Sequence, residues 1–155
     1  NISYDLQAKL LQKAQRGAYM LVVDTNILAY LYLNPEYLPV MQALLVRDKE
    51  WIAPSLWRSE LRNVLLLYLR KGLLDFDRAI EVMAAAEGRV GKREYLPASD
   101  HVLSLALTSN CSAYGCEYLA LAREIATVLI TYDRKLLIAF PDTAIIPTAF
   151  LAARS

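Results

Sequence analysis

The sequence is poor in the residues that build disulfides and zinc sites. Its 155 residues include two cysteines and one histidine, too few for the usual four nitrogen and sulfur ligands of a structural zinc ion. Cys111 and Cys116 lie five residues apart in a predicted helix and do not form a CxxC motif. We therefore expect both thiols to be reduced, as is usual in a cytoplasmic protein.

The chain also lacks a strong net charge and a long apolar run. The formal charge is +1, so any contact with a nucleic acid has to come from local patches. The most apolar window, residues 20–33, is interrupted by Asp24 and Asn26 and is shorter than the roughly 20 apolar residues of a membrane span. The N-terminal segment is amphipathic and unlike a signal peptide. We expect a cytoplasmic protein with no membrane segment.

Residues 20–153 are predicted to form one domain, preceded by an N-terminal arm at 1–19. The arm has the apolar spacing of an amphipathic helix over 4–16. Met20 is a plausible natural start, so the arm is an extension, a remnant of expression or a partner-binding segment. The sequence leaves these three alternatives open.

Short apolar runs alternate with longer helical patterns in the predicted domain. The runs at 20–23, 51–53 and 127–131 predict strands, with shorter candidates at 94–96 and 144–146. Helices are predicted over 25–33, 36–48, 55–70, 75–87, 99–108 and 113–125, with a helical turn at 136–140. Strands joined through helices form parallel sheets covered on both faces. The pattern therefore predicts a three-layer α/β/α domain with a short, mainly parallel sheet.

Three carboxylates are predicted to meet at one edge of this sheet. Asp24 directly follows the first strand, Asp133 follows the 127–131 strand, and Glu60 lies in the first turns of the helix after the second strand. Ligand sites of open α/β sheets lie outside the carboxyl ends of the strands. Three hard oxygen ligands suit Mg²⁺ or Mn²⁺.

Each of these acids also has an ordinary structural explanation. Asp24 is a favoured N-cap for a helix beginning at Thr25, and Glu60 complements the dipole of its helix. Asp133 fits a simple turn. Capping and metal binding can coexist, and the combination of the three positions favours a site.

Four segments match a known family. VVDTN at 22–26, SELRNV at 59–64, SAYGCEYLALA at 112–122 and LITYDRKLL at 129–137 resemble the PIN-domain ribonucleases. The likeness is strongest to the VapC toxins of bacterial VapBC toxin–antitoxin pairs, and it runs from about Met20 to Leu151. It implies a PIN-like fold and a metal-dependent endoribonuclease that hydrolyses RNA.

The resemblance also assigns roles to individual residues. It makes Asp24 the first, Glu60 the second and Asp133 the fourth acid of a cluster that holds Mg²⁺ or Mn²⁺. Its supporting polar positions, which steady the acids, are Thr25, Asn26 and Thr131.

Gly115 occupies the position at which the family has its third acid. A glycine inside a helix costs about 1 kcal/mol relative to alanine and cannot ligate a metal. Three explanations are open for the missing acid: an inactivating mutation, a naturally degenerate protein, or compensation by Glu117. Glu117 lies about 200° around the helix from Gly115 and is predicted to point away. We expect the chain to be inactive or impaired, and a catalytically dead PIN module that binds protein or RNA is the alternative function.

VapC-like proteins form homodimers and are silenced by a VapB-like antitoxin in a groove near the acids. The apolar helix with Leu61 and residues 64–67 suits such a groove, although about half of these side chains fit a simple core. Candidate contacts to the RNA backbone, or else ordinary surface charges, are Arg58, Arg62, Arg134 and Lys135.

Four aromatic residues and the histidine are interpreted structurally. Tyr114 and Tyr118 are expected in the core or a dimer interface rather than stacked on bases. Trp51 and Trp57 are expected in the core or along a groove. His101 is expected on a helix surface.

Overall fold

The computed structural model describes residues 20–48 and 50–153, and the predicted arm at 1–19 lies outside the described residues. The strands are β1 (Met20–Val23), β2 (Glu50–Ile52), β3 (Leu129–Ile130) and β4 (Ala144–Ile145). The helices of the described ranges are α1 (Thr25–Leu33), α2 (Leu38–Arg47), α3 (Trp57–Arg70), α4 (Phe76–Val90), α5 (Ser99–Leu107), α6 (Ala113–Glu124), α7 (Arg134–Ala139) and α8 (Pro147–Ala152).

The four strands form one parallel sheet in the order β2-β1-β3-β4. Val22 pairs with Ile52 of β2 on one side and with Leu129 of β3 on the other. The chain passes from β1 to β2 on one side and then returns to β3 on the other side. The carboxyl ends of β1 and β3 therefore form a topological switch point, where α/β sheets bind their ligands.

Helices cover both faces of the sheet. Leu21, Val22 and Val23 are consecutive in β1 and are all fully buried. Because successive side chains of a strand point to opposite faces, apolar layers lie on both sides. Helix α6 packs against β1 and β3, and α4 packs against β2. The predicted α/β/α architecture is confirmed, as are the core positions of Trp51 and Trp57.

Two predictions of local structure need correction, and one helix was missed. The candidate strand at 94–96 is wrong, because this segment is irregular and the Ser55 N–H donates to the Tyr95 carbonyl (2.9 Å). The strand predicted at 127–131 shrinks to β3, and the Thr127 hydroxyl instead donates to the Met20 carbonyl (2.7 Å). Helix α8 was not predicted, although Pro147 stands at its first position, where proline is favoured.

Neither cysteine forms a disulfide within the described part of the chain. None of the helices over residues 20–48 and 50–153 has the length and apolarity that a membrane crossing requires. The cytoplasmic location stays a prediction.

Candidate functional site

A cleft of about 330 Å³ lies at the switch point between β1 and β3. It brings together all three predicted acids and Gly115, which come from four separate parts of the chain. Its lining consists of Asp24, Thr25, Asn26, Glu60, Asn63, Val64, Ser112, Tyr114, Gly115, Tyr118, Asp133 and Leu136.

Asp24 follows β1 and caps α1. One carboxylate oxygen, Oδ1, accepts the Ile27 N–H at 3.1 Å. The other, Oδ2, accepts a short hydrogen bond from the Thr131 hydroxyl. Asp24 is only 8% exposed, so both oxygens of a nearly buried carboxylate are held in place. The capping role and the position in the cleft coexist, as the sequence allowed.

The surroundings of Asp24 disfavour its charged form. Burial raises the pKa of Asp24 to about 6, and the nearby carboxylates of Asp133 and Glu60 add to the rise. The hydrogen bonds from Thr131 and Ile27 lower the pKa and offset part of it. A divalent cation in the cleft would relieve this cost, because it favours the charged carboxylate.

Glu60 is held by two hydroxyl groups. Its Oε1 accepts hydrogen bonds from the Tyr118 phenol (2.6 Å) and the Thr25 hydroxyl (3.2 Å). The two hydroxyl oxygens lie 2.7 Å apart, so the single Thr25 hydroxyl proton is shared between Glu60 Oε1 and the phenol oxygen of Tyr118, and the three groups form one network. Burial, and then Glu60 itself, raises the pKa of Tyr118, which keeps the phenol protonated as a donor.

Asp133 follows β3 and caps α7. Its Oδ1 accepts the N–H groups of Lys135 (2.9 Å) and Leu136 (3.3 Å). The N–H of Asp133 donates to Thr131 Oγ1 (2.9 Å), and the Thr131 hydroxyl donates to Asp24. Thr131 is fully buried, and through these two hydrogen bonds it links Asp24 to Asp133.

Gly115 is the third residue of α6. Its N–H donates to the Oγ of the N-cap Ser112 at 3.1 Å. A Cβ added here would lie 3.5 Å from the Leu136 methyl groups and from Ser112 Oγ, which is ordinary van der Waals contact. The backbone therefore has room for a side chain at this edge of the cleft.

The carboxylate oxygens of the cleft are the kind of ligand that a hard divalent cation prefers. They do not form a complete set of ligands. Glu60 Oε2 and Asp133 Oδ2 accept no hydrogen bond from any described residue, and both belong to side chains that line the cleft. However, within residues 20–48 and 50–153, no three His, Cys, Asp or Glu side chains come close enough to hold an ion together. Gly115 adds no ligand to the set.

Glu117 does not replace the missing acid. It lines a neighbouring cavity with Pro97, Val102 and Leu103 rather than the cleft, as the helical period predicts. Burial first, and then Glu60, raises the pKa of the Glu117 carboxyl. The compensation explanation for Gly115 therefore has no support in this geometry.

Of the four predicted RNA contacts, only Arg134 and Lys135 lie beside the acids. They line a second cavity of about 340 Å³, which shares Gly115 and Asp133 with the cleft. Arg58 forms a short ion pair with Glu94 and stacks over the Trp57 ring. Arg62 is exposed on α3, and neither it nor Arg58 lines the cleft.

The two tyrosines of α6 lie in different environments. Tyr118 is 3% exposed and lies in the core, as predicted, but its hydrogen bond to Glu60 was missed. Tyr114 is 65% exposed at the cleft rim, so its predicted core position is wrong, because it lies on the outer side of the first turn of α6. A dimer interface at Tyr114 stays a prediction.

Two further side chains of the cleft were not singled out from the sequence as site residues. Asn63 lies one helical turn after Glu60, and Ser112 is the N-cap of α6. Asn63 could have been found from the sequence, because it lies three residues after Glu60 and therefore on the same face of the helix. His101 lies on α5 near Glu124 (3.3 Å), and this position on the helix surface agrees with the prediction.

Comparison with known proteins identifies the family. No protein-family model matches the chain. Ribonuclease VapC3 of Pyrobaculum aerophilum is 30% identical over 124 residues, which cover 78% of this chain and 95% of that protein. The crystal structure of PAE2754 from the same organism has a similar fold, with a TM-score of 0.68 at 23% identity, over 87% of this chain and 90% of that one. The chain belongs to the VapC family of PIN-like proteins.

Proposed function

We propose that the chain is a VapC-like toxin whose cleft hydrolyses RNA phosphodiester bonds with Mg²⁺ or Mn²⁺, and that Gly115 leaves it inactive or impaired. The observation that carries the proposal is that the carboxylates of Asp24, Glu60 and Asp133 line one cleft at the switch point of the sheet. The family membership supports it, since the relative from Pyrobaculum aerophilum is named a ribonuclease.

Asp24, Glu60 and Asp133 would be the ligands of the ion, and its binding would have to draw these carboxylates closer together than they lie in this structure. Their neighbours would keep them oriented. When bound, Mg²⁺ supplies charge stabilisation at the phosphate and lowers the pKa of a bound water. Thr131 fixes Asp24 and the backbone of Asp133, while Thr25 and Tyr118 fix Glu60. Asn26 is exposed in the cleft, where its amide can bind the RNA.

Gly115 explains why activity would be impaired in this chain. A fourth carboxylate at the start of α6 would add an anionic ligand to the cleft, because residue 115 lines the same two adjoining cavities as Asp133. Without it, the cleft lacks part of the charge that holds a divalent cation. Cation affinity should therefore be weak, and turnover should be low.

Cleavage assays on two isosteric variants test this function. Gly115→Asp should cleave single-stranded RNA in Mg²⁺ or Mn²⁺ and lose this activity in EDTA. Gly115→Asn matches the added volume without the charge and should remain as inactive as the parent chain. Equal activity of the two variants, or none in Gly115→Asp that still binds RNA and metal, would contradict the proposal.

The proposed partners are an RNA substrate, a VapB-like antitoxin and a second copy of the chain. Arg134 and Lys135, beside the cleft, suit the RNA backbone. The apolar side chains of α3 are partly in the core and partly exposed, as predicted. Leu61 and Leu65 lie in the core. Around the turn from α3 to α4, the exposed apolar side chains that suit an antitoxin helix are Leu66, Leu67, Leu73, Phe76 and Ile80.

A catalytically dead binding module is the second candidate function, because Gly115 removes a side chain from the cleft without distorting α6. The two functions differ in one measurement. A dead module binds RNA or the antitoxin with the same affinity whether residue 115 is Gly or Asp, and Gly115→Asp remains without nuclease activity.

A further inference from the structure

Three tyrosines form a compact aromatic group beside the acid cleft. We define the tyrosine cluster as Tyr30 of α1, Tyr37 before α2, and Tyr132 after β3. The rings of Tyr30 and Tyr37 stack with centroids 4.3 Å apart and planes 11° apart. Tyr132 meets both rings edge-on, at 5.6 and 5.5 Å. The rings thus hold one another in a fixed arrangement that is partly buried against the core.

The phenol hydroxyls of this cluster have no hydrogen-bond partner in the described part of the chain. Within residues 20–48 and 50–153, none of the three makes a hydrogen bond, and the single buried side-chain nitrogen or oxygen without a partner is Trp51 Nε1. The three phenol oxygens therefore reach solvent. A tyrosine hydroxyl is uncharged at neutral pH and can both donate and accept a hydrogen bond.

None of the three tyrosines lines the cleft, but Tyr30 and Tyr132 are close chain neighbours of residues that do. Tyr132 lies between Thr131 and Asp133, which hold and form part of the acid group. Tyr30 lies four residues after Asn26, on the same side of α1 and about 6 Å further along its axis. This separation places the cluster within reach of a nucleotide next to one whose phosphate lies at the acids.

Packing alone accounts for the rings but not for the hydroxyls. Phenylalanine would stack equally well at all three positions, and a hydroxyl that bonds only to water adds little to stability. A group of neutral donors and acceptors beside a carboxylate cleft is a poor phosphate site, because it offers no positive charge. It suits an uncharged polar ligand such as a ribose, whose 2′-hydroxyl both donates and accepts.

We propose that the tyrosine cluster binds the ribose of a nucleotide adjacent to the phosphate in the acid cleft, and so selects single-stranded RNA over DNA. This proposal rests on the proposed function, because it takes the cleft to be the RNA site. The selectivity comes from hydrogen bonds between the cluster hydroxyls and the 2′-hydroxyl, which DNA lacks. Ring stacking alone would bind both nucleic acids.

Binding measurements on phenylalanine variants test the proposal without any need for catalysis. Fluorescence anisotropy with single-stranded RNA and the DNA of the same sequence, in Mg²⁺, gives the two affinities, and gels verify that the RNA stays intact. The triple variant Tyr30→Phe/Tyr37→Phe/Tyr132→Phe keeps the rings and loses the hydroxyls. Its RNA affinity should fall about tenfold, the effect of one or two hydrogen bonds. Its DNA affinity should stay within about twofold.

A matched control and a milder variant keep the result decisive. Tyr95→Phe removes another phenol without a partner, in a cavity beside β2, and should leave both affinities unchanged. If thermal denaturation shows that the triple variant is unstable, the single variant Tyr132→Phe replaces it, and its thermal stability is measured in the same way. The proposed ribose subsite is overturned if the parent and the variants bind RNA with equal affinity. It is also overturned if the variants lose affinity for RNA and for DNA equally.

The proposed function can survive that outcome, because cleavage by Gly115→Asp tests it separately. If neither the parent chain nor Gly115→Asp binds RNA, the proposed function and this subsite are both overturned.

Discussion

The phenol oxygen of Tyr118 lies 2.6 Å from Oε1 of Glu60, and this hydrogen bond joins α6 to α3 across the floor of the acid cleft. The two residues are 58 positions apart in the sequence. Tyr118 lies three residues after Gly115, on the same face of α6. Glu60 is thus fixed through one oxygen, while Oε2 is left to a solvent molecule or a ligand.

Tyr118→Phe should destabilise the protein by about 2 kcal/mol, because it removes a nearly buried hydrogen bond to a charged group. The Thr25 hydroxyl, 2.7 Å from the phenol oxygen, also loses a partner. Urea denaturation measures the change in the free energy of unfolding. Tyr114→Phe is the matched control, since Tyr114 is exposed and its hydroxyl forms no described hydrogen bond; it should change stability by less than about 0.5 kcal/mol. Equal effects of the two variants would contradict the role of the network.

Asp24 should make the metal-free protein less stable as the pH rises. Its pKa in the folded protein, about 6, lies above its ordinary value of 3.8, chiefly because of burial. Between these pH values the folded protein binds more protons than the unfolded chain, so stability falls with rising pH. At about 1.36 kcal/mol per pKa unit, the contribution amounts to roughly 3 kcal/mol above pH 6.

The variant Asp24→Asn isolates this contribution. The asparagine can still accept the Ile27 N–H and can donate to Thr131 Oγ1, while its charge is absent. Urea denaturation in EDTA at pH values from 4 to 7 should show a flatter stability curve for the variant than for the parent. Asp77→Asn, at an exposed position in the first turn of α4, is the control and should keep the slope of the parent. A parent curve that rises over this range relative to Asp24→Asn would show that the sign is wrong.

The parts of the fold that local patterns dictate could be predicted from the sequence. The strand at 20–23 and the helices after it are indicated by the spacing of apolar residues and by helix-capping residues. The parallel sheet follows from the helical connections between the strands. The positions of Asp24 and Asp133 follow from the same logic, because each residue lies just beyond the carboxyl end of a parallel strand. Ser112 belongs to the residue types favoured at N-caps, and it accepts the N–H of Gly115 at the start of α6.

The rest depends on contacts between distant segments. No local pattern indicates that Tyr118 donates to Glu60, or that Thr131 joins Asp24 to Asp133. Residues 94–96 have the composition of a strand, but Ser55 engages the Tyr95 backbone, and the segment forms no sheet pairing. These differences arise because tertiary hydrogen bonds override weak local preferences.

Gly115→Ala should stabilise the protein by up to about 1 kcal/mol, because alanine loses less backbone entropy in a helix than glycine. The added Cβ meets only ordinary contacts, at 3.5 Å. Gly72→Ala is a control of opposite sign, since Gly72 ends α3 with φ of 69° and alanine there is strained by about 1 kcal/mol or more. Thermal and urea denaturation measure both variants. A destabilised Gly115→Ala would show that glycine is needed for the structure at this position.

Mg²⁺ should stabilise Gly115→Asp much more than the parent chain. In the absence of a cation, the new carboxylate adds to the repulsion around Asp24 and Asp133, so the variant should melt below Gly115→Asn. A ligand that binds only the folded state stabilises it by about 2.7 kcal/mol at a concentration of 100 Kd. Thermal denaturation across a Mg²⁺ titration should therefore raise the melting temperature of Gly115→Asp until it passes that of Gly115→Asn, and EDTA should reverse the rise. Parallel curves for Asp and Asn at position 115 would mean that this position does not contribute a ligand, whatever the nuclease assay gives.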